Sequence, residues 1–294
     1  MTIPEILQKK KSGEKIIMLT AYDLPMARLL DEAGVDMVLV GDSLGMVALG
    51  YPATVPVTMR EMIHHAKAVR RGVSKALVVG DMPFMSFNVS KQRTVMNAGR
   101  FVKEAGCDAV KVEGGQGSPA SIEAVEAIVE AGIPVLGHVG LTPQTAGKTG
   151  GFKVQAKTAE SAKKLLQAAL ALEGAGCFGI VLECVPVQVA GLITKSLSIP
   201  TIGIGAGPLC DGQVLVTHDL LGFQSAFHPK FVRRFADLNG QISSALKNFR
   251  QAVEKGSFPS DEESYFLNPD QEKLLKPPFR PRKRSAVIPL SKAR

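Results

Sequence analysis

Three short apolar segments of this chain each run into an acidic residue. The acids are Asp42, Asp81 and Glu113, and each follows a stretch rich in valine. Such stretches are typical of strands in a parallel sheet, whose two faces are both buried. Because parallel strands end at the same edge of a sheet, the pattern predicts that the three carboxylates lie close together.

Three carboxylates at one sheet edge would make a site for a hard divalent cation. Mg²⁺ prefers oxygen ligands and keeps water or substrate oxygens in its remaining positions. The alternative is that each acid caps the helix that follows it, since aspartate is common where a strand leads into a helix. The repetition at three strand ends favours the metal site, and the capping interpretation stays open.

Strand-like segments alternate with helix-like segments along the whole chain. The predicted strands cover residues 15–23, 37–41, 76–80, 109–113, 134–140, 178–184 and 200–205, with the eighth near 214–216. Eight alternating units predict an α/β fold with a single (β/α)₈ TIM barrel, and an open doubly wound sheet is the alternative. The barrel is favoured because polar residues recur at the carboxyl ends of the strands, where barrel enzymes hold their sites.

The barrel is predicted to occupy residues 1–255, with a short N-terminal helix and a closing helix at 230–254. Residues 256–294 are predicted to be a flexible basic extension, because proline, lysine and arginine are frequent there. Residues 271–294 hold eight basic residues against one glutamate, so they carry +7 of the net charge of +8. The barrel is therefore nearly neutral, which does not favour nucleic acid as a partner. A non-catalytic binder working through the tail is kept as an alternative.

The N-terminus, the longest apolar runs and the cysteines indicate the cellular compartment of the protein. The N-terminus lacks the apolar core and cleavage site of a signal peptide, and no apolar run reaches the roughly 18 residues of a membrane span. The cysteines lie in or beside apolar segments without C-x-x-C spacing: Cys107, Cys177, Cys184 and Cys210. Buried thiols in a reducing compartment are favoured over disulfides or zinc. We therefore expect a cytoplasmic protein with no membrane partner.

Two charged residues lie inside strand-like segments. Glu183 interrupts an apolar run, where an unpaired carboxylate is costly. Burial would raise its pKa towards the range of a general base, and a structural role with a partner is the alternative. Lys111 faces the same side as Glu113. It could neutralise the predicted metal ligands or bind a substrate carboxylate, and a structural ion pair with Glu113 is the alternative.

Ser43, His138 and two long connections are further candidates. Ser43 follows a predicted metal ligand and could bind a substrate anion, or it could cap a helix; the chain has no G-x-S-x-G elbow around it. His138 could be catalytic or a hydrogen-bonded core residue. The connections 44–57 and 141–157 exceed the usual two to six residues between strand and helix, so both are candidate lids.

Ordered sequence blocks over residues 1–255 resemble those of ketopantoate hydroxymethyltransferases. The blocks are MLTAYD (18–23), VGDSLGM (40–46), PVTMREM (56–62), DMPFMSF (81–87), VKVEGG (110–115), GHVGLTPQ (137–144), GGFKVQ (150–155), LECVP (182–186) and IPTIGIGAGPLCDGQVLV (199–216). Two departures stand out, because Pro52 and Ala53 replace a polar pair and Ala156 stands where a glycine is expected.

The resemblance implies a barrel of the phosphoenolpyruvate/pyruvate type and a particular reaction. A hydroxymethyl group would pass from 5,10-methylenetetrahydrofolate to 3-methyl-2-oxobutanoate through a Mg²⁺-stabilised enolate. The product would be 2-dehydropantoate, in the first committed step of pantothenate biosynthesis. A homo-oligomer, typically a decamer, is implied as well. A carbon–carbon lyase or mutase of 2-oxo acids on the same scaffold, without folate, is the alternative.

The resemblance also assigns residue roles. Asp42, Asp81 and Glu113 would bind Mg²⁺, and Glu183 would be the proton acceptor. The substrate would be bound by Asp42, Ser43, Asp81 and Lys111.

Overall fold

A computed structural model describes most of the chain. The described residues are 1–114, 118–145, 147, 151, 153–223 and 229–275. The chain divides into two compact units, Met1–Asn239 and a second that starts at Gly240. This division falls near the start of the last long helix, whereas the boundary predicted from sequence follows that helix. Residues 276–294 of the predicted basic extension, and part of the connection 141–157, lie outside the described residues.

The first unit is built on a closed barrel of parallel strands, paired in sequence order from β1 to β8 and closed by β8 on β1. The strands are β1 Ile16–Thr20, β2 Met37–Val40, β3 Leu77–Asp81, β4 Ala109–Glu113, β5 Val135–Gly140, β6 Gly179–Glu183, β7 Thr201–Ile204 and β8 Gly212–Leu215. The predicted (β/α)₈ barrel is confirmed, and the open doubly wound sheet is excluded.

Helices precede the barrel, connect its strands and follow it. They are α1 Ile3–Ser12, α2 Leu24–Glu32, α3 Leu44–Val47, α4 Met59–Gly72, α5 Lys91–Ala105, α6 Pro119–Glu130, α7 Ala159–Gly174, α8 Val187–Ser196, α9 Thr217–Leu220, α10 Leu238–Lys255 and α11 Pro269–Glu272. Three of them begin just after a residue whose side chain caps the helix: Thr58, Ser90 and Ser118. Within the described ranges, none of the helices combines the length and apolar character needed to cross a membrane.

Apolar side chains fill the barrel interior below the strand ends. They form one buried cluster: Ile6, Ile16, Met18, Met37, Leu39, Leu77, Val79, Ala109, Leu136, Phe178, Val181, Ile202 and Val214. Ile6 belongs to α1, which therefore covers the amino-terminal end of the barrel. Lys9 and Lys10 of this helix pair with Asp36 and Asp211, at 2.7 and 2.8 Å. The opposite, carboxyl-terminal mouth of the barrel is not covered by this helix.

A glycine allows the outer layer to approach the strand that carries Asp81. A Cβ atom added at Gly80 would lie 2.3 Å from Cδ1 of Phe101. Phe101 is a fully buried residue of α5. Because Gly80 has no side chain, α5 packs directly on β3, the strand that ends at Asp81.

The predicted closing helix at 230–254 begins later than expected, at Leu238. The backbone N–H of Phe235 donates to the Leu220 carbonyl at 2.8 Å, and that of Leu238 donates to Leu221 at 3.0 Å. The segment before the helix therefore uses its hydrogen-bonding groups on the turn after α9. Tertiary pairing outweighs the helical pattern of the sequence here.

The second unit contains most of α10, a 3₁₀ turn at Asp261–Glu263 and the short helix α11. Its residues up to 275 are described. Apolar side chains recur along one face of α10 at Ile242, Leu246, Phe249 and Val253, and all four are exposed. The spacing is that of an amphipathic helix.

The backbone at Ala156 leads to a stability prediction. Its φ is +54°, and the left-handed conformation costs about 1–2 kcal/mol for a residue with a Cβ atom. Replacing Ala156 by glycine removes this cost. The glycine also makes the unfolded chain more flexible, which lowers the stability of the folded state by about 0.4–1 kcal/mol. We expect Ala156→Gly to raise the free energy of unfolding by up to about 1 kcal/mol in urea titrations.

The matched control is Ala162→Gly inside α7, where glycine should destabilise by about 1 kcal/mol. Equal destabilisation by both variants would contradict the strain at Ala156.

Candidate active site

Strand register brings the predicted charged residues to one end of the barrel. Asp81 is aligned with Lys111 between β3 and β4, and Glu113 with His138 between β4 and β5. Glu183 ends β6, the next strand. Each of these side chains is two or four residues after an interior apolar residue of its own strand, so it points into the barrel. The carboxyl-terminal mouth is therefore lined by charged and titratable groups.

Lys111 and Asp81 form a buried ion pair. The Lys111 ammonium donates to both Asp81 carboxylate oxygens at 2.8 Å, and only 6% and 2% of the two side chains are exposed. Burial by itself would lower the pKa of Lys111, but the charges of Asp81 and its acidic neighbours raise it. The lysine is therefore a fixed positive charge. Its partner is Asp81, so the alternative ion pair with Glu113 is wrong.

Asp42 lies beside this pair, just after β2. Its backbone N–H donates to an Asp81 oxygen at 3.3 Å, and the side-chain amide of Gln144 donates to its own carboxylate at 2.9 Å. Burial, followed by the negative charge of Asp81, raises the pKa of Asp42 to about 7. An acid with such a pKa carries its charge at a cost that a bound cation would offset.

Glu113 is the third predicted ligand. The backbone N–H of Gln144 donates to its Oε2 at 3.2 Å, and Nδ1 of His138 lies 3.9 Å from its Oε1. Burial raises the pKa of Glu113 well above its ordinary value, and the charges of Asp42 and Asp81 add to the effect. Glu113 is thus linked to Asp42 through a single residue, Gln144.

The capping interpretation of the three acids is wrong. Helices α5 and α6, which follow Asp81 and Glu113, are capped by the side chains of Ser90 and Ser118. Ser43 stands at the start of α3, yet its hydroxyl makes no capping bond. It pairs instead with the hydroxyl of Tyr22 at 2.8 Å.

Glu183 is the most accessible acid of the group. Its side chain is 16% exposed, and its Oε2 lies 3.4 Å from Nε2 of His138. Burial raises the pKa of Glu183 to about 8 and lowers that of His138, so the imidazole is neutral near pH 7. Neither ring nitrogen of His138 has a described hydrogen bond of strict geometry, although an interaction with the Leu141 backbone partly offsets the lowering of its pKa. Both sequence interpretations of His138, catalytic and core, therefore stay open.

The chain turns sharply immediately after Glu183. Cys184 has a φ of +49°, a conformation that is uncommon for residues other than glycine and is found preferentially at functional sites. The turn holds Glu183 at the very end of β6, next to the mouth of the barrel.

The acid cluster has the donor chemistry of a Mg²⁺ site but not a complete ligand sphere. Four buried or partly buried carboxylates face one lysine, and every candidate ligand atom is an oxygen, as Mg²⁺ prefers. Among the described residues, however, no three histidine, cysteine, aspartate or glutamate side chains are grouped so that they could hold a metal ion. Mg²⁺ is commonly held by one or two carboxylates with water and substrate oxygens. The acids therefore fit the ion chemically, and joint ligation by all three remains a prediction.

Two residues that sequence reasoning missed belong to this site. Gln144 lies in a buried 3₁₀ turn, Pro143–Thr145, within the predicted lid connection. Tyr22 is buried and bonds Ser43. Both belong to the sequence blocks quoted above, but only the fold reveals their partners across the barrel.

The fold and the acid site define the class of protein. The barrel is similar to a phosphoenolpyruvate phosphomutase from Streptomyces platensis subsp. rosaceus, with a TM-score of 0.59 and 15% identity over 87% of this chain and 88% of that chain. It is also similar to 2,3-dimethylmalate lyase, a member of the PEP mutase/isocitrate lyase superfamily, with a TM-score of 0.54 and 14% identity over 92% of each chain. The chain thus shares the (β/α)₈ barrel fold of these two enzymes.

Sequence relatives give the family. The family model for ketopantoate hydroxymethyltransferase matches residues 1–261. A 3-methyl-2-oxobutanoate hydroxymethyltransferase of Syntrophomonas wolfei subsp. wolfei is 56% identical over 91% of this chain and 96% of its own length. The corresponding protein of Heliobacterium modesticaldum is 55% identical over 93% and 98%. The chain belongs to the ketopantoate hydroxymethyltransferase family and is a transferase.

The ion pair at the centre of the site leads to a stability prediction. Lys111→Met leaves the Asp81 carboxylate buried without its partner, and breaking a buried pair in this way costs about 3–5 kcal/mol. We expect a loss of this size in the free energy of unfolding, measured by urea titration in the presence of EDTA.

The double variant Lys111→Met with Asp81→Asn should recover most of the loss, because it removes the orphaned charge. A loss below about 1 kcal/mol in the single variant would show that the pair does not hold this end of the barrel together.

Proposed function

We propose that the protein transfers a hydroxymethyl group from 5,10-methylenetetrahydrofolate to 3-methyl-2-oxobutanoate, giving 2-dehydropantoate in the first committed step of pantothenate biosynthesis. The observation that carries this proposal is the position of Glu183. It is a partly accessible acid with a raised pKa, at the rim of a deeper cluster that holds Lys111 and three further carboxylates. A base beside a site for a small anion is what proton abstraction from a 2-oxo acid requires.

Lys111 and Ser43 are the proposed contacts of the substrate carboxylate. An ammonium has three N–H donors, and the two oxygens of Asp81 accept hydrogen bonds from Lys111. Its charge therefore attracts an anion into a pocket that is otherwise negative. Ser43 offers a hydroxyl whose partner, Tyr22, has its pKa raised by burial and stays protonated. Because Tyr22 can donate to Ser43, the hydroxyl of Ser43 is free to donate to the substrate.

Asp42 and Asp81, with Glu113 beside them, are the proposed holders of Mg²⁺. When bound, the ion would act as a Lewis acid towards the keto oxygen of the substrate and make the hydrogen on C3 more acidic. Asp42 and Asp81 would also fix the orientation of the substrate. The raised pKa values of Asp42 and Glu113 support this assignment, since like charges in a buried site are relieved by a cation.

Glu183 is the proposed base. It removes the proton from C3 of 3-methyl-2-oxobutanoate and becomes protonated, which leaves the enolate. The electron pair at C3 then forms the bond to the methylene carbon of the folate, which is released from one folate nitrogen as the iminium form. One water molecule supplies the hydroxyl group and the second C–N bond breaks, so that the two folate nitrogens take up the proton from C3 and one proton of the water, giving tetrahydrofolate. The connections 44–57 and 141–157 are the proposed lids that exclude water from the electrophile.

The cellular location and the oligomeric state are proposed from the resemblance to the family. We propose a cytoplasmic homo-oligomer, with a decamer as the expected form. A folate-independent lyase or mutase of 2-oxo acids on this scaffold is the competing function, and no residue of the site favours it.

The first test of the proposed function is formation of 2-dehydropantoate by the purified full-length protein. We expect product only when 5,10-methylenetetrahydrofolate is present, and loss of turnover after EDTA treatment with recovery on adding Mg²⁺. Turnover of the keto acid without folate would favour the lyase or mutase. Full activity in a verified metal-free sample would remove the metal from the proposal.

The second test isolates proton abstraction. Wild-type protein with Mg²⁺ should exchange the C3 hydrogen of 3-methyl-2-oxobutanoate in deuterated buffer, and Glu183→Gln should abolish this exchange. The base acts in its ionised form, burial raises its pKa to about 8, and a cation bound beside it would lower that pKa. The wild-type exchange rate should therefore increase with pH and level off below pH 8 when Mg²⁺ is bound.

Glu160→Gln, an exposed change on α7, is the matched control and should exchange at the wild-type rate. Exchange by Glu183→Gln at that same rate would exclude Glu183 as the base.

A further inference from the structure

Gln144 connects the ends of three neighbouring strands. Its side-chain amide nitrogen donates to Asp42 Oδ2 at 2.9 Å and to the Met82 carbonyl at 3.0 Å. Its backbone N–H donates to Glu113 Oε2 at 3.2 Å. Asp42, Met82 and Glu113 follow or end β2, β3 and β4. One residue of the connection after β5 therefore ties together the strand ends that carry the acid cluster.

The orientation of this amide is fixed by its partners. Both neighbours of the side-chain nitrogen, a carboxylate and a carbonyl oxygen, are acceptors only. An amide oxygen in the same place would face two other oxygens without a hydrogen, so the nitrogen must lie there. The amide oxygen consequently points away from Asp42 and Met82.

That oxygen, Oε1, is buried and accepts no hydrogen bond from any residue that the structure describes. Gln144 as a whole is only 4% exposed. A buried acceptor without a donor is costly, and folded proteins retain few of them. The charged side chains of the site are four acids and Lys111, whose ammonium bonds Asp81, so a ligand with hydrogen-bond donors would satisfy this oxygen.

The turn that carries Gln144 is itself held in place. The hydroxyls of Thr142 and Thr145 are 2.6 Å apart, and the backbone N–H of Thr145 donates to the Thr142 carbonyl at 3.0 Å. Leu141, just before the turn, donates its backbone N–H to the Glu183 carbonyl at 2.9 Å. The amide is therefore presented from a fixed backbone, between the base Glu183 and the acid cluster.

We propose that Gln144 is a positioning residue for the divalent cation: its amide nitrogen holds Asp42 in place, and its free oxygen accepts a hydrogen bond from the hydration shell of the ion. This inference rests on the proposed function for the identity of the cation as Mg²⁺, which keeps several of its waters when it binds to proteins. Residues that orient metal ligands in this way typically contribute 10- to 100-fold to metal affinity.

A purely structural role makes a different prediction. If Gln144 only fastens the connection to the barrel, its loss lowers the stability of the metal-free protein and leaves the intrinsic affinity for Mg²⁺ unchanged. If it positions the cation, the affinity falls even where the metal-free protein stays folded. Removal of the orphaned oxygen also relieves a buried polar group, which limits the loss of stability in the absence of metal.

The test is calorimetric titration of the EDTA-treated, dialysed full-length protein with Mg²⁺ alone. Gln144→Met replaces the amide with an apolar side chain of similar length, and we expect its dissociation constant for Mg²⁺ to rise about 10- to 100-fold. Gln167→Met, at an exposed position on α7, is the matched control and should bind Mg²⁺ as the wild type does. Thermal unfolding with and without Mg²⁺ gives a second reading, in which the metal-induced rise in Tm should shrink only in Gln144→Met.

Gln144→Asn keeps the proposal testable if the methionine variant does not fold. It retains an amide that is one methylene too short to reach Asp42 from the same backbone, so its affinity should fall as well. Wild-type affinity in a folded Gln144 variant would overturn the proposal, as would an absence of Mg²⁺ binding to the wild type. A wild type that binds Mg²⁺ through Gln144 but forms no 2-dehydropantoate would overturn the proposed reaction and support this inference.

Discussion

The structure depends on a charge imbalance at one end of the barrel. Asp42, Asp81, Glu113 and Glu183 are gathered there around a single buried cation, Lys111, which bonds both oxygens of Asp81. Interactions between charges are several times stronger at such a site than in water. Burial and the charges of neighbouring acids raise the pKa of Asp42, Glu113 and Glu183. Apart from Lys111, a site built in this way favours ligands that bring positive charge, and it favours the protonated forms of its acids.

The barrel confines this imbalance to one end. Its interior is apolar from the covering helix α1 upward, so the charged side chains occupy only the last positions of the strands. The acids differ in how deeply they are buried. Only 2% of the Asp81 side chain is exposed, compared with 16% of the Glu183 side chain. The buried pair gives the site its shape, while the shallower acid is within reach of a substrate that enters from the mouth.

The sequence predicted the barrel and the position of the acids at the strand ends, because both depend on local sequence patterns. Valine-rich segments mark the strands, and an acid at a strand end needs only the common direction of parallel strands to be placed. It failed where partners are distant in the chain. Gln144 bonds Asp42, which is 102 residues away in the chain. Lys111 pairs with Asp81 on the adjacent strand and not with Glu113 on its own strand. The late start of α10 has the same origin, since its preceding segment pairs with the turn after α9.

The acids also influence one another, which ties the strength of the base to the occupancy of the cluster. Burial makes the largest contribution to the raised pKa of Glu183, and the negative charges of Asp42 and Asp81 add to it. A cation held by those two aspartates would cancel their contribution and lower the pKa of Glu183. A larger fraction of Glu183 would then be ionised near pH 7 when the cluster holds a cation than when it does not. In the proposed reaction, binding of the ion that acidifies the substrate therefore also favours the ionised form of the base.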